Sequence, residues 1–130
     1  MRTIKFQDLV SHIPTLEFDG DETDKRMHSQ EQYNWGAKDE ADYKEAEKSI
    51  DSLSKKGNGW ELYCWSDVSG WDYWMNNQGE SNYIMTTISF DKSEVDETEI
   101  ESIKTALDEI LYDAECISET YSYMPELETE

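Results

Sequence analysis

Five carboxylates near the end of the chain, Glu97, Glu101, Asp108, Glu115 and Glu119, recur at separations of four and seven residues. At about 100° per residue of helix they fall within roughly 40° of one another. Along the axis neighbours stand about 6 Å (i, i+4) or about 10.5 Å (i, i+7) apart. Such a row resembles the spacing of phosphates along a nucleic-acid strand. The helix itself gains nothing from it, because like charges at i, i+4 oppose each other. Over residues 96–119 nine acids face one base, Lys104, whereas an ordinary solvated face mixes Glu with Lys or Arg. The chemistry on offer is therefore electrostatic: a surface that can receive a basic partner.

Bond-making chemistry has little to work with. His12 and His28 are the only histidines. His12 lies beside an apolar face and reads as a packing or capping residue; His28 sits among loop polar groups. There is no HExxH, no nucleophile elbow, no phosphate-cradling glycine loop and no lysine motif. Asp19, Asp21 and Asp24 invite a calcium-loop reading, but the spacing fails. Counted from Asp19, the position that needs glycine is Asp24 and the position that needs a bidentate Glu is Gln30. Cys64 falls in a strand pattern and Cys116 in a helix pattern, so both are expected as buried free thiols, too far apart in sequence to suggest a zinc site. No enzyme activity, metal or cofactor is expected.

A second unusual feature is the segment Gly59–Met75, GWELYCWSDVSGWDYWM, which holds four of the five tryptophans. Read as strands, it has large aromatics on both faces. Trp60, Leu62 and Cys64 oppose Tyr63 and Trp65; Trp71, Tyr73 and Met75 oppose Trp74. Helices that cover both faces would make these residues core. One face left open would make Trp65 and Trp74 partner-binding anchors, since Trp buries large area at low entropy cost. Base stacking is disfavoured, because single-strand binders need a cationic groove.

The elements that must position these groups follow from periodicity. Phe6, Leu9, Val10 and Ile13 predict a short helix over 4–13, with Thr3 as N-cap and Pro14 as its stop. Leu16–Phe18 suits a short strand within an irregular stretch, 15–37. Tyr43, Ala46, Ile50 and Leu53 predict a helix over 38–54, ended by Gly57-Asn58-Gly59. Strands are expected at 60–66, 71–76 and 83–90, joined by hairpin turns. Ile100, Ile103, Leu107, Ile110, Leu111, Ala114 and Ile117 form the apolar stripe of a helix over 96–118, with Asp96 and Glu99 as a capping box. The expected fold is α+β: a small antiparallel sheet of three or four strands with helices mainly on one face. Residues 1–123 read as a single compact domain and 124–130 as a frayed acidic tail.

The bulk numbers bear on partners. The chain has 130 residues, 31 Asp and Glu, 11 Lys and Arg, and a net charge of −20. Residues 94–130 alone hold 13 acids against one base. Such a field repels nucleic acid and anionic membranes and attracts basic protein surfaces. No run of about 18 apolar residues and no secretory signal is present, so the cytoplasm of a bacterial host cell is the expected compartment.

In charge and size the chain resembles the acidic, virus-encoded nucleic-acid mimics that block host defence proteins; no motif carries the likeness. It implies a stoichiometric inhibitor from a phage or mobile element, of anti-CRISPR or anti-restriction type. The partner would be a basic nucleic-acid-binding protein such as a CRISPR effector or nuclease. Two alternatives stand beside it: a bacterial immunity protein for a cognate basic toxin nuclease, and a sugar- or metal-binding module. Pairing into a homodimer is left open.

Overall fold

The computed structural model describes residues 2–18, 25–67, 71, 75 and 82–123, with Phe6 described by its backbone alone. Strand β6 (Trp60–Ser66) shows how the sheet is organised. Trp60, Leu62 and Cys64 are buried, Tyr63 is half-buried and Trp65 is exposed. On the neighbouring strand β7 (Tyr83–Phe90), Ile84, Thr86, Ile88 and Phe90 are buried and pair with Ser66, Cys64, Leu62 and Trp60. One sheet face is therefore core; the other, here called the open face, is more accessible, with Trp65 exposed and Tyr63 half-buried, although Thr87 on it is buried.

The sheet is larger than the sequence led us to expect. Six antiparallel strands take part: β2 (Leu16–Phe18), β3 (Arg26–Ser29), β4 (Tyr33–Asn34), β5 (Ser54–Gly57), β6 and β7. Their order is β2-β3-β7-β6-β5, and β4 also pairs with β7, continuing the row that β3 begins. A separate two-stranded ribbon joins β1 (Thr3–Lys5) to β8 (Glu94–Asp96) and buries Ile4 against Val95. The class remains α+β, but the expected small sheet of three or four strands is corrected. Strands of two to four residues are too short to show alternation, and their partners lie far away in sequence.

Three helices complete the described residues: α1 (Leu9–His12), α2 (Glu40–Asp51) and α3 (Ile100–Thr120). Both longer helices start where a carboxylate caps them. Asp39 accepts the Asp42 N–H at 2.8 Å, and Asp96 accepts the Thr98 N–H at 2.9 Å ahead of the 3-10 turn Glu97–Glu99. Tyr43, Ala46 and Ile50 of α2 are buried, as are Ile103, Leu107, Ile110 and Ala114 of α3. Both helices lie over β6 on the buried face, and α3 runs from β5 across β6 and β7 to β4.

Four local expectations are also corrected. Residues 4–13 are not one helix: Thr3 belongs to a strand, Phe6–Asp8 is a 3-10 turn, and only Leu9–His12 is α-helical. Helix α2 ends at Asp51, and Ser54–Gly57 turns back as an edge strand. Gly57-Asn58-Gly59-Trp60 is thus a hairpin turn, with Gly59 at φ 87°, a conformation that favours glycine. Of the strand expected at 71–76 only Trp71 and Met75 are described, its other positions lying outside the described residues, and both have helical backbone. Their i, i+4 spacing suits a helix as well as it suits alternation. Trp71 packs edge-on against Tyr43, which packs on Trp35, with ring centroids 5.7 Å and 5.0 Å apart. Trp35, in the stretch read as irregular, is fully buried and donates its indole N–H to Ser66 Oγ at 3.2 Å.

Candidate partner-binding site

The carboxylate row sits where the apolar stripe of α3 leaves it. With Ile103, Leu107, Ile110 and Ala114 against the sheet, Glu101, Asp108, Glu115 and Glu119 are exposed on the solvent side. Glu97 is exposed too, but it belongs to the preceding 3-10 turn, whose tighter winding takes it off the α-helical spacing. Arg2 stands 3.7 Å from it.

The cations nearby are few. Lys104 reaches Glu101 at 3.5 Å within the helix, and Lys55 of β5 reaches Glu109 at 3.2 Å. Among the described residues Asp108, Glu115 and Glu119 have no ion-pair partner. Exposed pairs such as Lys104–Glu101 contribute little to stability, so they screen the row without cancelling it. The field of Glu115 extends to β4. Burial first, then the charges of Glu31 and Glu115, push the Tyr33 phenol up to about 12.

Two aromatic residues that the sequence reading passed over belong to this surface. Tyr112 is 66% exposed, the largest exposure of any big apolar side chain among the described residues. It follows Asp108 by four residues, so a helical wheel would have placed it beside the row. Its hydrogen bond with Cys116 raises the phenol pKa, and the charges of Glu119 and Asp113 add to the shift. Tyr33 lies near the same C-terminal half of α3, close enough to feel the charge of Glu115. Its signal was absent from the sequence, because β4 has two residues and no pattern.

The predicted anchors separate from the row. Trp65 is 39% exposed but lies on the open face of the sheet, away from α3, where its indole N–H donates to Thr87 Oγ1 at 2.9 Å. Trp74 falls outside the described residues. On the same open face Tyr63 OH accepts from Ser89 Oγ at 3.4 Å, and Glu17 sits 3.2 Å from His28 Nε2. His28 is therefore a sheet residue with a carboxylate neighbour, not a loop residue.

The cysteines divide in the same way. Cys64 is buried, and burial together with the nearby Asp113 charge raises its thiol to about 11 against a smaller opposing effect of its Thr86 hydrogen bond. Cys116 is free and exposed, which corrects the expectation that both thiols are buried. It sits between Glu115 and Ile117, on the border of the apolar stripe.

Among the described residues no group of three or more His, Cys, Asp and Glu could hold a metal ion. No helix among them is long and apolar enough to cross a membrane. Comparison with protein-family models, with curated proteins and with solved structures finds no match.

Proposed function

We propose that this protein is a stoichiometric inhibitor that docks the acidic face of α3 on a basic nucleic-acid-binding protein, of the CRISPR-effector or restriction-nuclease kind. The observation that carries this reading is the rigid presentation of Glu101, Asp108, Glu115 and Glu119 on the solvent side of one helix, the last three without an ion-pair partner among the described residues. A channel shaped for a nucleic-acid strand already offers cations in a row. Steering by a charge of −20 speeds the encounter. The row costs the free protein self-repulsion, and a basic partner offsets that cost. Trp65 faces away from α3, so short-range fixation falls to Tyr112 and Tyr33 in place of the tryptophans.

The test is a cleavage titration. Purified protein is added to a panel of CRISPR effectors and restriction nucleases at fixed DNA substrate. Inhibition that saturates at equimolar protein and is relieved by raising salt supports the reading. Micromolar binding of the protein to DNA or RNA in a mobility-shift assay would remove it, because the inhibition would then act on the substrate.

A further inference from the structure

Strand β5 closes one side of the six-stranded sheet and, among the described residues, pairs only with β6. The N–H of Cys64 donates to the carbonyl of Leu53 at 3.3 Å, in register with the ladder that continues through Lys55–Leu62 and Gly57–Trp60. In an antiparallel ladder the bonded and non-bonded pairs alternate. Leu53, Lys55 and Gly57 therefore turn their backbone groups toward β6, and Ser54 and Lys56 turn theirs outward. Among the described residues nothing takes up those outward N–H and C=O groups, and Ser54 and Lys56 are both exposed.

Natural edges are commonly blunted by lysine. Here the two lysines leave the edge uncovered. Lys55 turns to the helix side, where its ammonium reaches Glu109 at 3.2 Å. Lys56 shares the open face with Glu61, its register partner. Beside the free edge runs a groove of about 460 Å³ between β5 and α3, lined by Lys55, Lys56, Trp60, Glu101, Thr105 and Glu109; Lys56 borders it from the strand edge. A second groove of about 480 Å³ continues along Lys55, Asp108, Glu109, Tyr112 and Asp113.

We propose that β5 is a docking edge for an extended basic segment of a protein partner, which adds to the sheet as a further antiparallel or parallel strand. Ser54 and Lys56 supply the main-chain bonds, as in other strand-addition complexes. Alternation then sorts the side chains of the added strand. Every second residue faces α3 and meets Glu101, Asp108, Glu109 and Asp113, which selects Lys or Arg there. The residues between lie beside Lys56 on the open face, which selects neutral or acidic side chains. The ligand is thus a stretch with bases at alternate positions, not a run of consecutive bases. The inference takes the sign of its partner from the acidic-inhibitor reading, but the strand addition stands on the free edge alone.

The probe is the capped peptide TKTKTKT, with TTTKKKT as a control of equal composition and charge. Both are titrated into the full chain by NMR with amide exchange at physiological salt. TKTKTKT is expected to slow exchange of the Ser54 and Lys56 amides and to bind about tenfold tighter than the control, the effect of one or two net hydrogen bonds. Lys56→Pro removes an outward N–H that β6 does not use, together with the Lys56 ammonium, and proline is tolerated on a sheet edge, so the fold is kept while binding falls to the level of the control; Lys56→Thr, which removes the ammonium alone, should keep the preference for TKTKTKT. Equal binding of the two peptides, or no protection at Ser54 and Lys56 in the unaltered protein, overturns the inference whatever the variants do. If the peptides bind equally but Glu101→Lys with Asp108→Lys abolishes both, strand addition is wrong and the charge-based reading survives. If those reversals leave binding of TKTKTKT intact and amide protection persists, the edge is confirmed and the acidic row is not what selects its ligand.

Discussion

The indole N–H of Trp60 donates to Glu99 Oε1 at 2.7 Å, and the same oxygen accepts the Asn58 N–H at 3.2 Å. Glu99 precedes α3, whereas Asn58 and Trp60 belong to the β5–β6 hairpin. One carboxylate therefore fixes the start of the acidic helix on the sheet. It is not the reciprocal member of a capping box, the role its spacing from Asp96 suggested; its side chain is taken up by the hairpin.

Glu99→Ala should cost about 1–3 kcal/mol, because it leaves the N–H of a buried indole without an acceptor. Urea unfolding reads the loss as a lower midpoint at unchanged slope. Stability equal to that of the unaltered chain would show that water replaces the carboxylate and that helix and hairpin are held by apolar packing alone.

Gly57 lies directly across the hairpin from Trp60, and a Cβ built there would meet the indole ring at 2.2 Å. The ring belongs to a buried side chain that is held at Glu99, so it cannot give way freely. Gly57→Ala is expected to destabilise by about 1–3 kcal/mol through overpacking. A crystal structure of the variant should show the indole displaced and its bond to Glu99 broken. A variant as stable as the parent, with Trp60 unmoved, would refute this account of the hairpin.

The triple reversal Glu101→Lys, Asp108→Lys, Glu115→Lys touches exposed positions on α3. It opens no cavity and relieves repulsion, so the melting temperature should stay equal or rise, most visibly at low salt. Affinity for the basic partner should fall, and its salt dependence should shrink. A partner held equally tightly by both proteins at low and high salt would mean that the row is only a solvated surface.

The two cysteines should respond differently to a thiol reagent. Cys116, exposed, is expected to react in the native protein, and Cys64 only after unfolding; intact mass before and after denaturation decides this. The same burial gives a pH dependence. The thiol of Cys64 has an ordinary pKa of 9.0 and is raised to about 11 in the fold. The unfolded chain therefore releases this proton first as pH rises. The stabilisation is fully present below pH 9 and is lost as pH climbs through the folded value, by about 2–3 kcal/mol if the shift is realised in full. Unfolding free energies in the pH 9–11 window should fall with pH, and Cys64→Ala should flatten the early part of that fall. The Tyr33 phenol, raised to about 12, extends the decline to higher pH with the same sign.

What the sequence determined by itself is what lies within one stretch of chain. The stripe from Ile100 to Ile117 gave both the existence of α3 and the side on which Glu101, Asp108, Glu115 and Glu119 would be exposed, since burying one face of a helix exposes the other. Asp96 announced the start of its helix as a cap for the same local reason. The alternation of β6 separated Trp60, Leu62 and Cys64 from Tyr63 and Trp65, but it could not say which set would be covered. That choice belongs to α2 and α3, which pack over β6 from one side and leave Trp65 on the other. Nor could it reveal the pairing of Thr3 with Asp96, of Met27 with Ile88, or the place of Ser54–Gly57 at the sheet edge. A strand of two to four residues has no period to read, and its ladder bonds are made with residues it meets only in the folded chain. Glu99 and Trp35 show the same limit in single side chains. Their types and neighbours in sequence suggested a cap and a loop, and the tertiary structure made them a brace for Trp60 and a buried centre of the core. Local spacing fixes which face of an element is apolar, but only packing decides what that face meets.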